Sequence, residues 1–183
     1  MQFTWMWFAK VERVAAAMLM LAGPLATAAA GGSGESLENR LDRLYRDIPQ
    51  VVQPEEVRQM ITEGTIPEDV YLLDVRSREE WDVSRLPEAE LVAFDGFDLA
   101  QIDHIPRDAR IILYCAVGRR SGSVGEELRS AGYTDVWDMY GGILLWAERD
   151  LPLIDAKGPT RRVHGRRRWY GGQITNSAVE VVY

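Results

Sequence analysis

The sequence has one cysteine and two histidines among its 183 residues, and this scarcity excludes several kinds of site. With Cys115 alone, the chain can form neither an internal disulfide nor a zinc site built on a pair of cysteines. His104 and His164 lie too far apart along the chain to form a metal-ligand motif. We therefore expect no metal ion and no other cofactor.

Lysine is also scarce, and charge is distributed unevenly. Lys10 and Lys157 are the only lysines among 21 basic residues. Residues 31–156 hold 26 acidic and 13 basic side chains, whereas residues 157–183 hold six basic and one acidic. Since the acidic body lacks the basic face that binds nucleic acid, we expect no nucleic-acid partner.

No apolar run reaches the length of about 20 residues that a membrane-spanning helix needs. Lys10 and Arg13 precede an apolar stretch at residues 14–23, and small residues follow it up to Ala30. This order is that of a secretory signal peptide. We therefore predict that residues 1–30 are a signal peptide and that the protein is exported to the periplasm. The alternative is that this segment stays uncleaved and anchors the protein in the membrane.

The remaining chain alternates between strand and helix patterns. Residues 70–75 and 110–115 are nearly continuous apolar runs, as expected for parallel strands that are covered on both faces. A helical pattern follows the second run and ends at Gly132. A third short strand at 136–139 precedes a helical pattern at 143–149. This alternation predicts an α/β domain with a central, mainly parallel sheet and helices on both faces.

An amphipathic helix is predicted just before this domain. Residues 31–49 start with a flexible glycine-rich linker, and apolar residues then recur at helical spacing. The apolar stripe comprises Leu37, Leu41, Leu44 and Ile48. We expect the stripe to pack onto the main domain, which we place at residues 50–154. The domain starts with a brief strand at 50–53 and a helix that begins at Pro54 and ends at Gly64.

The last segment, residues 155–183, is a basic tail with adjacent aromatic residues. Its basic and aromatic patch comprises Arg161, Arg162, Arg166, Arg167, Arg168, Trp169 and Tyr170. We expect a disordered, solvated tail. The alternatives are contact with anionic lipid at a membrane surface and docking onto the acidic body. Residues 179–183 are a candidate edge strand.

Cys115 lies where a buried strand ends and a helix is about to begin, which is the edge where α/β sheets bind ligands. The following loop comprises Ala116, Val117, Gly118, Arg119, Arg120 and Ser121. We expect Ser121 to cap the next helix. The backbone N–H groups of such a tight turn, the start of the helix and the two arginines together form a cradle for an anion. The pattern thus predicts a reactive thiolate at Cys115 rather than an inert core thiol.

Four segments of the chain resemble the rhodanese family, in the family's order and spacing. The loop at 115–121 resembles the family's active-site pattern C-x-x-G-x-R-S, and residues 73–81 resemble its LDVR segment with a following Glu-aromatic pair. Residues 132–136 resemble its G-aromatic-x-x-V stretch, and residues 141–146 resemble its closing GG-x-x-x-W. Exported single-domain members, typified by phage-shock protein E, are the most similar in appearance.

The resemblance implies a rhodanese-like fold and a sulfurtransferase activity. In that activity Cys115 takes the outer sulfur of a donor such as thiosulfate, and the resulting persulfide passes the sulfur to cyanide or a thiol. The amides of residues 116–121 would hold the negative charge of the persulfide. Arg119 and Arg120 would bind the small anionic donor. The acceptor can also be another protein.

Two further features qualify the resemblance. Asp74 and Arg76 are expected to support the site by pairing with each other and bracing the loop. The chain departs from the family at Arg85 and Leu91, which replace the usual histidine and asparagine. This departure concerns substrate preference rather than the nucleophile.

Two alternatives to turnover of a small sulfur donor stay open. One is a non-turnover rhodanese-like module that carries sulfur or binds a partner protein. The other is a cysteine-based phosphatase or arsenate reductase. Those enzymes need an arginine one position further along than Arg120, in a wider loop, so this loop fits a sulfur atom better than a tetrahedral oxyanion.

Overall fold

A five-stranded sheet forms the centre of the fold. The computed structural model describes residues 37–61 and 66–183, so the predicted signal peptide and the predicted helix end at Gly64 lie outside the described residues. The strands are β1 (Val51–Val52), β2 (Val70–Asp74), β3 (Glu90–Leu91), β4 (Arg110–Tyr114) and β5 (Asp135–Met139). They lie in the order β1-β5-β4-β2-β3, and each pairing is parallel. The predicted α/β class is confirmed.

Six α-helices accompany the strands in the described part of the chain. They are α1 (Leu37–Tyr45), α2 (Pro54–Met60), α3 (Arg78–Val83), α4 (Arg119–Ser130), α5 (Gly142–Glu148) and α6 (Arg168–Gly171). A 3₁₀ turn covers Leu99–Ile102. Helix α1 ends at Tyr45 rather than at the predicted Ile48, because the N–H of Ile48 bonds the carbonyl of Tyr45 in a turn just before Pro49.

Two apolar clusters lie on opposite faces of the sheet, because successive residues of a strand point to opposite sides. Ile112 and Tyr114 of β4 belong to the cluster that also holds buried residues of α1, α2 and α5. Ile111 and Leu113 belong to the other cluster, together with buried residues of α4. Cys115 continues the second set. The strand therefore delivers the cysteine to the α4 face of the sheet.

The C-terminal segment is folded, so the predicted disordered tail is wrong. It contains β6 (Leu153–Asp155), β7 (Gly158–Thr160), β8 (Arg162–His164), α6 and β9 (Glu180–Val182). Strands β6 and β7 pair antiparallel, and β8 and β9 pair parallel. The candidate edge strand thus forms, but it joins β8 instead of the central sheet.

Burial of one apolar side chain and contacts with acidic groups explain why this segment docks. Val163 has no exposed surface and belongs to the cluster of α1, α2 and α5. Nη1 of Arg161 lies 2.6 Å from a carboxylate oxygen of Asp150. Glu148 at the end of α5 accepts hydrogen bonds from Thr175 and from the N–H of Asn176. The basic segment therefore docks onto the acidic body, which was one of the two alternatives to a disordered tail.

Two kinds of feature are absent from the described residues. Within residues 37–61 and 66–183, no helix is both long enough and apolar enough to cross a membrane. The same residues contain no group of three or more histidine, cysteine, aspartate or glutamate side chains arranged to hold a metal ion.

Replacing Val163 by alanine tests the docked C-terminal segment. Because its side chain is fully buried, we expect Val163→Ala to lower the free energy of unfolding by about 2 kcal/mol. Val182→Ala, at a partly exposed position of β9, is the matched control and should lower it by less than half as much. Urea unfolding measures both. A disordered tail would give no change for either variant.

Candidate active site

Cys115 follows β4 directly and faces the start of α4. Its Sγ accepts a hydrogen bond from the backbone N–H of Gly118 at 3.1 Å. The side chain has no exposed surface and contacts the apolar cluster on the α4 face. Cys115 is thus buried among apolar groups, and its sulfur receives a backbone donor from its own loop. In this conformation the sulfur is closed to solvent.

Gly118 makes the turn that aims this amide at the sulfur. Its φ of +108° lies in the left-handed region, which favours glycine. A methyl group at this position would also overlap the phenol of Tyr45. Gly118 is the N-cap of α4, so the predicted cap at Ser121 is wrong. Ser121 instead lies in the first turn, where its hydroxyl donates to the carbonyl of Gly118 at 3.1 Å.

The start of α5 holds the backbone of the same loop. The N–H of Ile143 donates to the carbonyl of Cys115 at 2.9 Å, and the N–H of Leu144 donates to the carbonyl of Ala116 at 3.2 Å. This close approach needs glycine at position 142, because a Cβ there would overlap both carbonyl groups. The paired glycines at the start of α5 therefore let the amides of this helix hold the loop backbone, and Gly118 makes the turn that follows. Val117 is buried in the cluster on the α1 face.

Arg120 points inward and is paired with Glu80. Its Nη1 and Nη2 lie 2.6 Å and 2.7 Å from the two carboxylate oxygens. Glu80 also accepts the N–H of Ser77 at 3.1 Å, which closes a capping box at the start of α3. Burial alone would raise the pKa of Glu80, but Arg120 and the Ser77 amide lower it. One carboxylate thus joins the first turns of α3 and α4.

The charge of Arg120 also acts on the cysteine. Burial lowers the pKa of Arg120, and the contacts with Glu80 and Cys115 outweigh burial and raise it. Its Nε is buried without a hydrogen-bond partner among the described residues. Arg120 therefore stays a cation, and Glu80 balances much of its charge.

Arg119, the first residue of α4, is exposed. It lines a cavity of about 490 Å³ between α4 and the end of α1, together with Gly118, Gly122, Leu44 and Ile48. The structure therefore separates the two predicted donor-binding arginines. Arg120 is engaged inside the site, and Arg119 keeps an exposed guanidinium at its border.

Asp74 and Arg76 form a fully buried ion pair at the end of β2. Nη2 of Arg76 lies 2.6 Å from Oδ2 of Asp74, and its Nε donates to Oδ1 at 2.8 Å. Nη2 also donates to the carbonyl of Ser84 at 2.6 Å. Burial opposes the cation, but Asp74 outweighs burial and raises the pKa of Arg76. The pair therefore ties the end of β2 to the end of α3.

The segment after α3 contains both departures from the family pattern. The guanidinium of Arg85 lies 4.9 Å from the centroid of the Trp81 ring. Its backbone N–H and carbonyl both bond Ile154, at 2.9 Å and 3.0 Å. Leu91 lies in β3 and pairs with Asp74. The stretch around Arg85, where the family usually has a histidine, is thus held here by β6.

A family model described as the rhodanese-like domain matches residues 53–149. This chain belongs to the rhodanese family. It is 32% identical over 91 residues to a sulfurtransferase from Allochromatium vinosum, a match covering 50% of this chain and 84% of that protein. It is 29% identical over 102 residues to a probable adenylyltransferase/sulfurtransferase from Mycobacterium tuberculosis, covering 55% of this chain but only 25% of that protein.

Two solved structures share the rhodanese fold with this chain. A Bacillus halodurans protein aligns with a TM-score of 0.52 at 19% identity, covering 66% of this chain and 88% of its own. A rhodanese-like domain from Anabaena aligns with a TM-score of 0.51 at 20% identity, covering 58% of this chain and 79% of its own. At these identities the likeness concerns the fold alone.

This rhodanese site contains a buried acid that the sequence patterns did not single out. Asp138 of β5 has no exposed surface, and neither carboxylate oxygen has a hydrogen-bond partner among the described residues. Nη2 of Arg129 lies 3.9 Å away. Burial raises the pKa of Asp138 to about 7, although Ser121 and Arg129 act in the opposite direction. An aspartate inside a buried strand run was the signal that could have revealed it.

The protonation of Asp138 should make stability depend on pH. An aspartate in the unfolded chain loses its proton near pH 4, whereas the folded protein holds this proton up to a pH of about 7. Stability therefore falls as pH rises through that window. We expect Asp138→Asn to raise the free energy of unfolding at pH 8 by on the order of 2 kcal/mol, with little change at pH 4.

Urea unfolding at the two pH values measures this effect, with Asp108→Asn at an exposed position as the control. An equal gain at both pH values would contradict the assigned titration.

Proposed function

We propose that this rhodanese-like protein transfers sulfane sulfur through a persulfide on Cys115. The supporting observation is the backbone N–H of Gly118 at 3.1 Å from Sγ, because a fixed amide stabilises the negative charge of a thiolate or a persulfide. Arg120, in the first turn of α4, adds a positive charge to the same site. The similarity to the Allochromatium vinosum sulfurtransferase, of which the match covers 84%, supports the same activity.

The reaction has two displacement steps at sulfur. The Cys115 thiolate attacks the outer sulfur of thiosulfate, the bond between the two donor sulfurs breaks, and sulfite leaves with the bonding electron pair. An acceptor thiolate or cyanide then attacks the outer persulfide sulfur. The Cys115 thiolate leaves with its electron pair and is regenerated. No external oxidant or reductant is needed.

The two arginines have different proposed roles. Arg120 is held by Glu80, so we assign it to stabilising charge on the cysteine rather than to binding a free anion. Arg119 is exposed and lines the cavity beside the loop. It is therefore the cation we assign to the incoming thiosulfate. An exposed arginine should bind the dianion weakly.

A partner-gated sulfur carrier is the second candidate. It is favoured by the complete burial of Cys115, since a donor must touch Sγ and the side chains covering it must first move. An acceptor protein that opens the loop would then set the rate. Phosphatase chemistry is disfavoured, because Arg120 is engaged by a carboxylate and is not free to clamp an oxyanion.

We also propose export of the protein through residues 1–30, on the order of charged, apolar and small residues in this segment. The intact mass of protein purified from the periplasm of an expressing bacterium tests this. A mass lacking roughly the first thirty residues supports cleavage, and recovery of the full-length chain from the cytoplasm overturns export.

Replacing Cys115 tests the nucleophile. We expect the purified protein to form sulfite from thiosulfate and cyanide, and to gain the mass of one sulfur atom when treated with thiosulfate alone. Cys115→Ser should abolish both, because a hydroxyl is a far weaker nucleophile at neutral pH. A sulfur carrier would show the mass gain without turnover on cyanide. Sulfite formation that survives in Cys115→Ser would contradict the proposal.

Replacing Arg119 tests the donor site. Loss of one exposed charge contact is worth about 1 kcal/mol, so Arg119→Ala should raise KM for thiosulfate about fivefold with kcat little changed. Arg167→Ala removes another exposed charge outside the loop and is the matched control. Steady-state kinetics at low ionic strength provide the measurement. An unchanged KM would exclude Arg119 from the donor site.

A further inference from the structure

Helix α1 lies outside the matched family domain of residues 53–149, yet it packs against the active-site loop. The phenol of Tyr45 lies so close to Gly118 that even a methyl group there would overlap it. Past the end of α1, Ile48 approaches Gly122 of α4, where a Cβ would lie 3.1 Å from Cδ1 of Ile48. Two glycines of the loop and α4 thus accommodate side chains from this N-terminal segment.

Tyr45 is held firmly in this position. It is only 6% exposed, and its hydroxyl donates to the carbonyl of Met139 at 2.6 Å. Its ring centroid lies 4.9 Å from that of Tyr140, whose hydroxyl donates to Asp42 of α1 at 2.7 Å. The end of β5 and the helix therefore fix the phenol from two sides.

The phenol is also uncharged. Burial raises the pKa of Tyr45, and negative charge on Cys115 and on Asp138 raises it further. Tyr45 consequently stays protonated and uncharged, so it forms a neutral wall of the site instead of a competing anion.

A contact that restricts the backbone matters at Gly118, because glycine has more conformational freedom than any other residue. Its carbonyl is held by the N–H of Gly122 at 2.9 Å and by the hydroxyl of Ser121 at 3.1 Å. Those contacts fix the peptide that follows Gly118. The peptide before it supplies the N–H to Sγ, and rotation of that peptide would turn the N–H away from the sulfur. A side chain in contact with the α-carbon limits this rotation. Tyr45 is the side chain in contact there.

We propose that Tyr45 is a positioning residue of the active site, which by contact with Gly118 keeps the Gly118 amide directed at Cys115 Sγ. Helix α1 thereby completes a site that the family domain alone leaves open. This inference rests on the proposed function of Cys115 as a sulfur carrier or catalyst. It assigns Tyr45 no contact with the substrate.

The test compares variants of two buried tyrosines. Tyr45→Leu removes the ring from Gly118, whereas Tyr45→Phe keeps the ring in place. Tyr133→Leu is the matched control, because Tyr133 is 3% exposed and its hydroxyl likewise donates to a backbone carbonyl, that of Ile102, at 3.1 Å. If Tyr45→Leu does not fold, Tyr45→Met replaces it, since a flexible side chain fills space without holding the glycine.

Two readouts are measured: the pH dependence of Cys115 alkylation by iodoacetamide, and the rate of sulfite formation from thiosulfate. Losing a hydrogen bond to a charged sulfur should move the alkylation midpoint upward by about one pH unit in Tyr45→Leu. Sulfite formation should fall about tenfold. Tyr45→Phe and Tyr133→Leu should keep the wild-type midpoint, although both lower the unfolding temperature.

The outcomes separate the two proposals. If Tyr45→Leu and Tyr133→Leu have the same alkylation midpoint and the same rate, the positioning role is overturned. If the wild type forms no sulfite and gains no sulfur, the proposed function fails. The shift in the midpoint between Tyr45→Leu and the wild type then still decides the role of Tyr45.

Discussion

The hydrogen bond from the Gly118 amide to the Cys115 sulfur is the interaction on which the rest of the site depends. Cys115 belongs to an apolar cluster and has no exposed surface. Without a donor, such burial would favour a neutral, inert thiol. A turn that only glycine adopts readily supplies this donor. The amides of α5 hold the cysteine backbone below it. The surrounding elements thus fix the position of the peptide group whose N–H binds the Cys115 sulfur.

Buried ion pairs join secondary-structure elements around the site. Arg76 and Asp74 tie β2 to the end of α3, and Arg120 and Glu80 tie α3 to α4. Each pair has several hydrogen bonds, which a buried ion pair needs to offset its desolvation. Asp138 accepts no hydrogen bond from the described residues, and burial raises its pKa to about 7 instead. Arg119, at the border of the loop, is exposed.

Local patterns predicted the fold class, the cysteine loop and the paired glycines, because each is encoded within a few neighbouring residues. The partners from distant segments were not predictable in this way. Glu80 and Arg120 lie 40 residues apart, and Tyr45 and Met139 lie 94 apart. The prediction of a disordered C-terminal segment failed for a related reason. Its arginines dominate the composition, whereas its folding depends on the burial of Val163 against a surface built from other segments.

The most direct test of the central interaction is nuclear magnetic resonance of the Gly118 amide in the intact protein. Its proton and nitrogen shifts are followed through a pH titration and again after loading with thiosulfate. If the amide serves the sulfur, its resonance moves with ionisation of Cys115 and moves once more when the persulfide forms. A Gly118 resonance that responds to neither event would contradict the proposed site.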